Sequence, residues 1–199
     1  MCNLYKMTKT VDEVARLFGA IADPPGNAGD EVFPGYPGIV VAEGRVRQMI
    51  WGFPLALMGK NGQPLKPKPV NNTRLDKLDS GFWRQSFRER RCLIPVTGFC
   101  EAEGETGAKT RTWFSLPDEE PFAVAGIWRY TAEWGPAYSM VMTDACEHVQ
   151  GVHDRMPAIL PPSDWKDWLD GPPDAAGLLC RPYEAGMTVD KTAERWSVR

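Results

Sequence analysis

The first two residues, Met1 and Cys2, could support chemistry that an internal cysteine cannot. Removal of the initiator methionine would leave Cys2 with an α-amine and a thiol on adjacent carbons, and these groups titrate at about 7.7–8.0 and about 8.5. The amine of such a 1,2-aminothiol condenses with an aldehyde, and the sulfur then closes a five-membered ring. The amine can also act as the base for the neighbouring nucleophile. The alternative is that Cys2 is a small apolar residue that opens a buried strand.

Two further residues could move protons. His153 lies in a polar loop beside Asp154, a setting suited to a general acid or base, although it could equally be an exposed residue without a role. Glu101 follows Phe99 and Cys100 at the end of an apolar stretch, where partial burial would raise its pKa. The alternative for Glu101 is an exposed carboxylate at a strand end.

Asn72 and Arg74 are two residues apart, so their side chains would point the same way from an extended strand. An amide and a guanidinium in that arrangement could orient a polar substrate and hold a phosphate. A turn-forming asparagine is the alternative. Trp51 and Phe53 could offer a flat stacking surface, but aromatic residues on a strand commonly belong to the core.

Basic residues are concentrated in one part of a chain whose net charge is −3. Between Lys60 and Arg91 there are nine basic and three acidic residues, which leaves that segment with a net charge of +6. Clustered positive charge of this kind is expected of a phosphate-binding face, and Arg88 and Arg91 are candidates for it. A solvated helix with excess arginine would explain the pattern equally well.

The elements that must position these residues are mostly strands. Thr10 to Glu13 form a capping box that predicts a helix ending at Gly19, and residues 20–38, rich in proline and glycine, predict a loop. Shorter helices are expected after Ser80 and Ser163. Strands are predicted at 39–42, 45–53, 92–95, 98–101, 110–116, 122–128 and 138–143, with an exposed basic loop near residues 60–70. The sequence therefore predicts one α+β domain over residues 1–199, with mostly antiparallel strands and peripheral helices.

The bulk composition narrows the class of protein. A chain of 199 residues fits one domain. It has no apolar run long enough to span a membrane, and the polar segment that follows Met1 leads us to expect no signal peptide. Its five cysteines are odd in number and contain no C-x-x-C pair, so neither a disulfide framework nor a zinc site is indicated. We expect a cytoplasmic protein without a metal or other cofactor.

Six motifs in this order resemble the SRAP family, the SOS response-associated peptidase-like proteins that sense abasic sites in single-stranded DNA. The motifs run from residue 2 to about residue 160. They are Met1-Cys2, Trp51-Gly52-Phe53-Pro54, Asn72-Thr73-Arg74, Arg91-Cys92-Leu93-Ile94-Pro95 with Gly98-Phe99-Cys100-Glu101, Ala125-Gly126-Ile127-Trp128, and His153-Asp154-Arg155-Met156-Pro157. The resemblance implies a barrel-like core and a monomer that acts at DNA damage on the nucleoid.

The resemblance also implies roles for individual residues. Cys2, freed by loss of Met1, would attack the aldehyde of an abasic site and form a thiazolidine crosslink to DNA. Asn72 would hold the sugar, while Glu101 and His153 would shuttle protons. Arg74 and Arg155 would bind flanking phosphates. The same residues could cleave the bond between Met1 and Cys2, and sulfur ring closure should suppress lyase-type strand cleavage.

The chain departs from the family pattern at two places. The family commonly continues Met-Cys with Gly-Arg, whereas Asn3-Leu4 follows here, so a basic contact beside the crosslink is missing or supplied from elsewhere. The family also commonly has Tyr-Glu-Trp where this chain has Cys100-Glu101-Ala102. The absent tryptophan would have stacked on a base, an interaction worth about 1–3 kcal/mol, and Trp51 or Phe53 could compensate.

Two other functions are compatible with the same residues. An N-terminal-nucleophile hydrolase or amidase would use Cys2 for repeated turnover of an amide substrate, whereas a crosslinker reacts once per protein molecule. A non-covalent single-strand DNA-binding module would not need Cys2 at all.

Overall fold

The computed structural model describes residues 2–24, 26–117 and 121–196. The strands are β1 Leu4–Lys6, β2 Ile21–Ala22, β3 Glu31–Val32, β4 Pro37–Ala42, β5 Arg45–Trp51, β6 Phe53–Met58, β7 Pro64–Val70, β8 Asn72–Arg74, β9 Arg91–Val96, β10 Gly98–Glu103, β11 Thr110–Ser115, β12 Phe122–Thr131, β13 Gly135–Asp144, β14 Arg155–Pro157, β15 Ile159–Leu160 and β16 Thr188–Arg195. The α-helices are α1 Val11–Phe18, α2 Arg84–Glu89, α3 Glu147–Gln150, α4 Trp165–Asp170 and α5 Pro173–Leu179.

Five strands close into a barrel around the main core. Neighbours β13, β12, β9, β4 and β5 are hydrogen-bonded in that order, and β5 returns to pair with β13 in parallel. Every residue of β9 is buried, as is the first half of β12, because both strands are apolar on both faces. Gly126 permits this close packing, since a Cβ there would lie 2.8 Å from the Cys92 sulfur. The predicted α+β class, with antiparallel strands around a barrel-like core and peripheral helices, is confirmed.

A second sheet lies beside the barrel, with strand order β16-β11-β10-β1-β3. It carries two of the candidate residues, because Cys2 precedes β1 and Glu101 belongs to β10. The two layers are joined by a hydrogen bond between the buried hydroxyls of Tyr5 on β1 and Tyr138 on β13. Gly38 makes room for this pair, since a Cβ there would lie 2.2 Å from both hydroxyl oxygens.

The first helix follows the sequence signals closely, whereas the later ones differ. In α1 the Thr10 hydroxyl accepts from the Glu13 amide, and Gly19 ends the helix at φ 60°. Ser80 does not cap α2 through its side chain. Its carbonyl instead accepts hydrogen bonds from the backbone amides of Trp83 and Arg84. Ser163 belongs to a 3-10 turn before α4, and its hydroxyl donates to Asp164.

Two regions predicted as loops contain strands. Within residues 20–38 the short strands β2 and β3 pair with β5 and β1, respectively. The expected basic loop is the strand β7, which pairs with β6 as a hairpin. Prolines 64, 67 and 69 remove three backbone donors, but a strand with only one pairing partner can tolerate that loss. Among the described residues, no helix has the length and apolar character needed to cross a membrane.

Candidate active site

The backbone carbonyl of Cys2 is held by two side-chain amides. Asn72 Nδ2 donates to Cys2 O at 2.6 Å, and Asn71 Nδ2 donates to the same oxygen at 2.9 Å. Asn71 Nδ2 also lies 3.2 Å from Asn3 Oδ1. Strand β8 carries Asn72 alongside Met140 of β13, so the barrel fixes the position of Cys2.

The Cys2 thiol is buried and protonated at neutral pH. Its sulfur lies 3.3 Å from the carbonyl oxygen of Leu4, to which it donates. Burial raises the pKa of the Cys2 thiol well above 9.0, and the negative charge of Glu101 raises it further. A reaction at this sulfur therefore needs a base that removes its proton as the new bond forms.

The charge of Glu101 raises the pKa of the Cys2 thiol, and the pKa of Glu101 is itself shifted. Cys100 pairs with Leu4 across β1 and β10, so Glu101 lies directly across from the segment that contains Cys2. Burial raises the pKa of Glu101 from 4.5 to about 7, and the charge of Asp154 raises it as well. A carboxyl group that titrates near neutrality can both accept and donate a proton under physiological conditions.

His153 contacts Asp154, the residue whose charge raises the pKa of Glu101. The His153 Nδ1 lies 2.9 Å from Asp154 Oδ1 and accepts a hydrogen bond from the Arg155 amide at 3.0 Å. Burial lowers the pKa of His153 below 6.5, while Asp154 opposes that shift. The imidazole is thus neutral at physiological pH and able to accept a proton.

Two of the predicted phosphate-binding arginines flank the end of β13 next to this group. Arg74 of β8 pairs in register with Met142, and Arg155 of β14 pairs with Asp144. Both guanidinium groups already contact carboxylates: Arg74 forms two hydrogen bonds to Asp76, at 2.9 and 3.0 Å, and Arg155 lies 3.0 Å from Asp144. Arg88, on α2, is half-exposed and contacts Asp79 at 3.1 Å.

The aromatic residues predicted to stack on bases are buried instead. Trp51 and Phe53 are both fully inaccessible to solvent. The Trp51 ring faces the core against Tyr5, and its Nε1 donates to the carbonyl of Asn71 at 2.9 Å. Phe53 packs against Trp83 with ring centroids 5.4 Å apart. The prediction that these rings form a DNA-stacking surface is therefore wrong, because alternation along the strands turns both rings inward.

Arg91 also has a different role from the predicted one. It is 8% exposed, and its guanidinium donates to four backbone carbonyls. The acceptors are the carbonyl oxygens of Phe87, Trp168, Leu169 and Gly171. These carbonyls lie at the C-terminal ends of α2 and α4, where helices leave acceptors unsatisfied. Arg91 thus anchors two helices to β9 and does not contribute to a phosphate-binding face.

Asn71 is the residue that sequence reasoning missed. Its side chain contacts both Cys2 and Asn3, while its own carbonyl accepts from Trp51 and from the Met140 amide. The only sequence signal was its position next to Asn72. Asn3, which departs from the family pattern, is the partner of Asn71, so the two unusual residues form one hydrogen-bonded unit beside Cys2.

The assembled group can perform proton-coupled nucleophilic chemistry. It combines a thiol, a carboxyl titrating at about 7, a neutral imidazole and an amide whose Asn72 Oδ1 is buried without a hydrogen-bond partner among the described residues. Across the described ranges, no group of three or more His, Cys, Asp or Glu side chains is arranged to hold a metal ion.

Comparison with protein families gives one match over nearly the whole chain. The matching family model is described as SOS response associated peptidase (SRAP) and covers residues 1–195. Abasic site processing protein YoqW of Bacillus subtilis is 31% identical over 123 residues, covering 57% of this chain and 55% of YoqW. Abasic site processing protein YoaM of the same organism is 28% identical over 151 residues, covering 71% of this chain and 65% of YoaM.

Comparison with solved structures supports the fold. A crystal structure of a Bordetella bronchiseptica protein aligns with a TM-score of 0.80 at 21% sequence identity, covering 96% of this chain and 99% of that one.

The matches to YoqW and YoaM span about half to two thirds of the length of those relatives.

Proposed function

The chain belongs to the SRAP family, and on that premise we propose that it recognises abasic sites in single-stranded DNA and covers them with a covalent thiazolidine crosslink through Cys2. Loss of Met1 creates the reacting amine. One Cys2 serves one abasic site, so a monomer suffices. The relatives named abasic site processing proteins support the choice of substrate.

The observation that carries this proposal is the convergence of Asn72 and Glu101 on Cys2. Asn72 donates to the Cys2 carbonyl at 2.6 Å, and Glu101 is close enough for its charge to raise the pKa of the thiol. The buried Asn72 Oδ1 has the acceptor character needed to receive a hydrogen bond from a sugar hydroxyl. These contacts support a site in which a sugar aldehyde meets both reacting atoms of Cys2.

The reaction has two covalent steps. The Cys2 amine adds to the aldehyde carbon of the ring-opened sugar, and loss of one water gives an imine. The Cys2 sulfur then adds to the imine carbon, the electron pair of the C=N bond moves to nitrogen, and the thiol proton is transferred to that nitrogen. The product is a five-membered ring that contains sulfur and nitrogen, and no oxidant or cofactor is consumed.

Glu101 and His153 supply the proton transfers. The aldehyde oxygen must gain protons to leave as water, and a carboxylic acid with a pKa of about 7 is suited to donate them. The resulting carboxylate then accepts the thiol proton during ring closure. His153, neutral at physiological pH, exchanges protons with the amine. The same groups can assist attack on the bond between Met1 and Cys2, which would account for a peptidase activity.

Ring closure also protects the DNA strand. An imine at the sugar carbon draws electrons and favours elimination of the neighbouring phosphate. Addition of sulfur removes that imine, so lyase-type cleavage is suppressed. Arg74 and Arg155 hold the flanking phosphates while the sugar reacts.

A denaturing gel tests this function. A labelled single-stranded oligonucleotide with one abasic site is incubated with wild-type protein, Cys2→Ala, Cys2→Ser and Asn72→Ala, each shown by mass spectrometry to lack Met1. We expect a heat-stable shifted band with wild type, no band with Cys2→Ala and a weaker band with Asn72→Ala. Cys2→Ala and Cys2→Ser both keep the α-amine but lack the sulfur, so a band from either variant should appear only after borohydride reduction.

The two alternative functions predict different results. A hydrolase using Cys2 would turn over glutamine or peptide substrates repeatedly and give no stable DNA band. A non-covalent binding module would bind DNA equally well after Cys2→Ala and would also give no band. If wild-type protein that lacks Met1 turns over an amide substrate without forming a DNA band, the crosslinking proposal is overturned. The same holds if that protein binds abasic DNA without forming a band.

A further inference from the structure

A two-stranded hairpin, β6 and β7 with their connecting turn, projects from the barrel next to the Cys2 site. We call residues 53–70 the hairpin wing. Within the described part of the chain, its strands pair only with each other. The wing leaves the barrel at Gly52, whose amide donates to the Tyr138 carbonyl, and rejoins it at Asn71, which contacts Cys2.

The base of the wing is held in a fixed position. Phe53 is buried, and the guanidinium carbon of Arg129 lies 4.0 Å from the centre of its ring. The same guanidinium stacks on Phe82 at 4.5 Å and donates to the Phe82 carbonyl. A Cβ on Gly52 would lie 2.6 Å from Pro69, so the strands approach closely at this point. The wing is therefore anchored at the end that adjoins the candidate active site.

The rest of the wing exposes large apolar side chains. Leu55, Leu57 and Leu65 are 41%, 36% and 46% exposed, and Met58 is 65% exposed. The pairing register places Leu57 opposite Leu65, and Leu55 opposite Lys68. A hairpin of two strands gains little stability by itself, so exposed leucines at this density indicate a surface that a partner covers.

The charge of the wing is uniformly positive. Lys60, Lys66 and Lys68 lie on it, and the sequence contains no acidic residue between Arg45 and Leu75. None of the three lysines forms an ion pair with any described residue, whereas Arg74, Arg84 and Arg88 of the same basic segment all contact carboxylates. The wing lysines thus carry half of the net charge of +6 of that segment, and no carboxylate of the described residues neutralises them.

The edges of the wing are poorly suited to pairing with a strand of another protein. Pro64, Pro67 and Pro69 on β7 and Pro54 on β6 lack the backbone donors that strand addition requires. A second copy of this chain adding along the edge of the wing is therefore disfavoured. What fits the surface is a partner that presents regularly spaced negative charges and apolar faces together.

We propose that the hairpin wing binds a strand of nucleic acid that extends from the Cys2 site, with its lysines on phosphates and its leucines against bases. Apolar side chains such as leucine and methionine make such base contacts in other DNA-binding proteins. This inference deepens the proposed function and rests on it, because the wing joins the barrel at Asn71. A six-residue strand reaches about 20 Å, so the wing contacts nucleotides beyond the reacting sugar.

The test uses the full chain and single-stranded DNA without an abasic site, so that its outcome does not depend on crosslinking. Affinity is measured by fluorescence anisotropy as a function of salt for wild type and for a Lys60→Ala, Lys66→Ala, Lys68→Ala variant. Each phosphate contact on a single strand contributes about 0.7 to the salt slope. We expect the variant to lose about 2 from that slope, so that between 50 and 200 mM salt wild type loses about 16-fold more affinity than the variant.

Two further variants separate the contributions. A variant with Lys9→Ala, Lys166→Ala and Arg181→Ala removes the same charge away from the wing, and its salt slope should match that of wild type. A variant with Leu55→Ser, Leu57→Ser and Leu65→Ser should bind more weakly with an unchanged slope. Thermal unfolding confirms that each variant is folded. If a wing variant is unfolded, the corresponding single substitutions replace it, with an expected slope change of about 0.7 per lysine.

Equal affinity and slope for wild type and the lysine variant would overturn the inference. So would lysine-dependent binding to phosphatidylglycerol vesicles without lysine-dependent DNA binding, since that result would identify the wing as a lipid-binding surface. These outcomes are distinct from failure of the proposed function, in which wild-type protein binds DNA through the wing but forms no crosslink at an abasic site.

Discussion

Among single residues, Glu101 most directly links the structure to the chemistry. Its carboxyl is buried beside the segment that carries Cys2, and its pKa of about 7 makes it a proton donor and acceptor at neutral pH. Sequence analysis identified Glu101 because it ends an apolar stretch, His153 because it lies in a polar loop, and Asn72 because it would share a strand face with an arginine. It could not find Asn71, because nothing local distinguishes an asparagine in a turn from one that holds Cys2.

Stability should depend on pH through Glu101. The native carboxyl binds its proton more tightly than the unfolded one, with a pKa raised from 4.5 to about 7. Between these values the native state holds more protons, so the free energy of unfolding should fall as the pH rises, by on the order of 2 kcal/mol. Glu101→Gln cannot titrate, and urea unfolding at pH 5 and pH 8 should show a smaller fall for it. A fall as large as that of wild type would contradict the assignment.

Asp76 should compete with DNA for Arg74. Both guanidinium hydrogen bonds of Arg74 go to Asp76, so a phosphate must displace this carboxylate or share the guanidinium with it. Because exposed ion pairs contribute at most about 1 kcal/mol, we expect Asp76→Asn to raise the affinity for single-stranded DNA several-fold in anisotropy measurements. Asp174→Asn, on α5, makes the same change in net charge. If both variants gain equally, the effect comes from net charge and not from Arg74.

At the scale of elements, the strands were more predictable than the loops and the tail. The runs at 92–95 and 122–128 are apolar on both faces, which marks central barrel strands. In contrast, the proline-rich β7 lacks a clear alternation of buried apolar and exposed polar residues. It is a strand because it pairs with β6, and that pairing is not visible in its own sequence. The tail strand β16 is almost entirely exposed and is stabilised by pairing with β11, so its own residues carry no pattern of burial.

Arg91 provides a test at this scale, because it connects α2, α4 and β9. Arg91→Ala leaves four buried or partly buried carbonyls without their donor, and we expect the free energy of unfolding to fall by about 3 kcal/mol. The measurement is urea denaturation, with Arg90→Ala as the matched neighbour. DNA affinity of the folded variant should equal that of wild type. A selective loss of DNA affinity with unchanged stability would instead restore the phosphate-binding prediction.

For the whole molecule, two sheets meet where the reacting group lies. The second sheet, which contains β1 and β10, supplies Cys2 and Glu101, whereas the barrel supplies Asn72 and the loop with His153. The fold class and the family could be recognised from ordered motifs, because those motifs lie on the strands that form this junction. Which arginines remain available to DNA could not be read from the sequence, because carboxylates contact Arg74, Arg88 and Arg155, and backbone carbonyls accept from Arg91.

The central claim is that Cys2 bonds to DNA through both its nitrogen and its sulfur. Intact-mass measurement of wild-type protein after incubation with abasic single-stranded DNA tests it most directly. The account predicts an adduct whose mass is that of the protein without Met1 plus the oligonucleotide minus one water, unchanged by borohydride treatment. An adduct that gains two hydrogens on borohydride treatment would be an open imine without the sulfur bond. That result, or no adduct from correctly processed protein, would contradict the account.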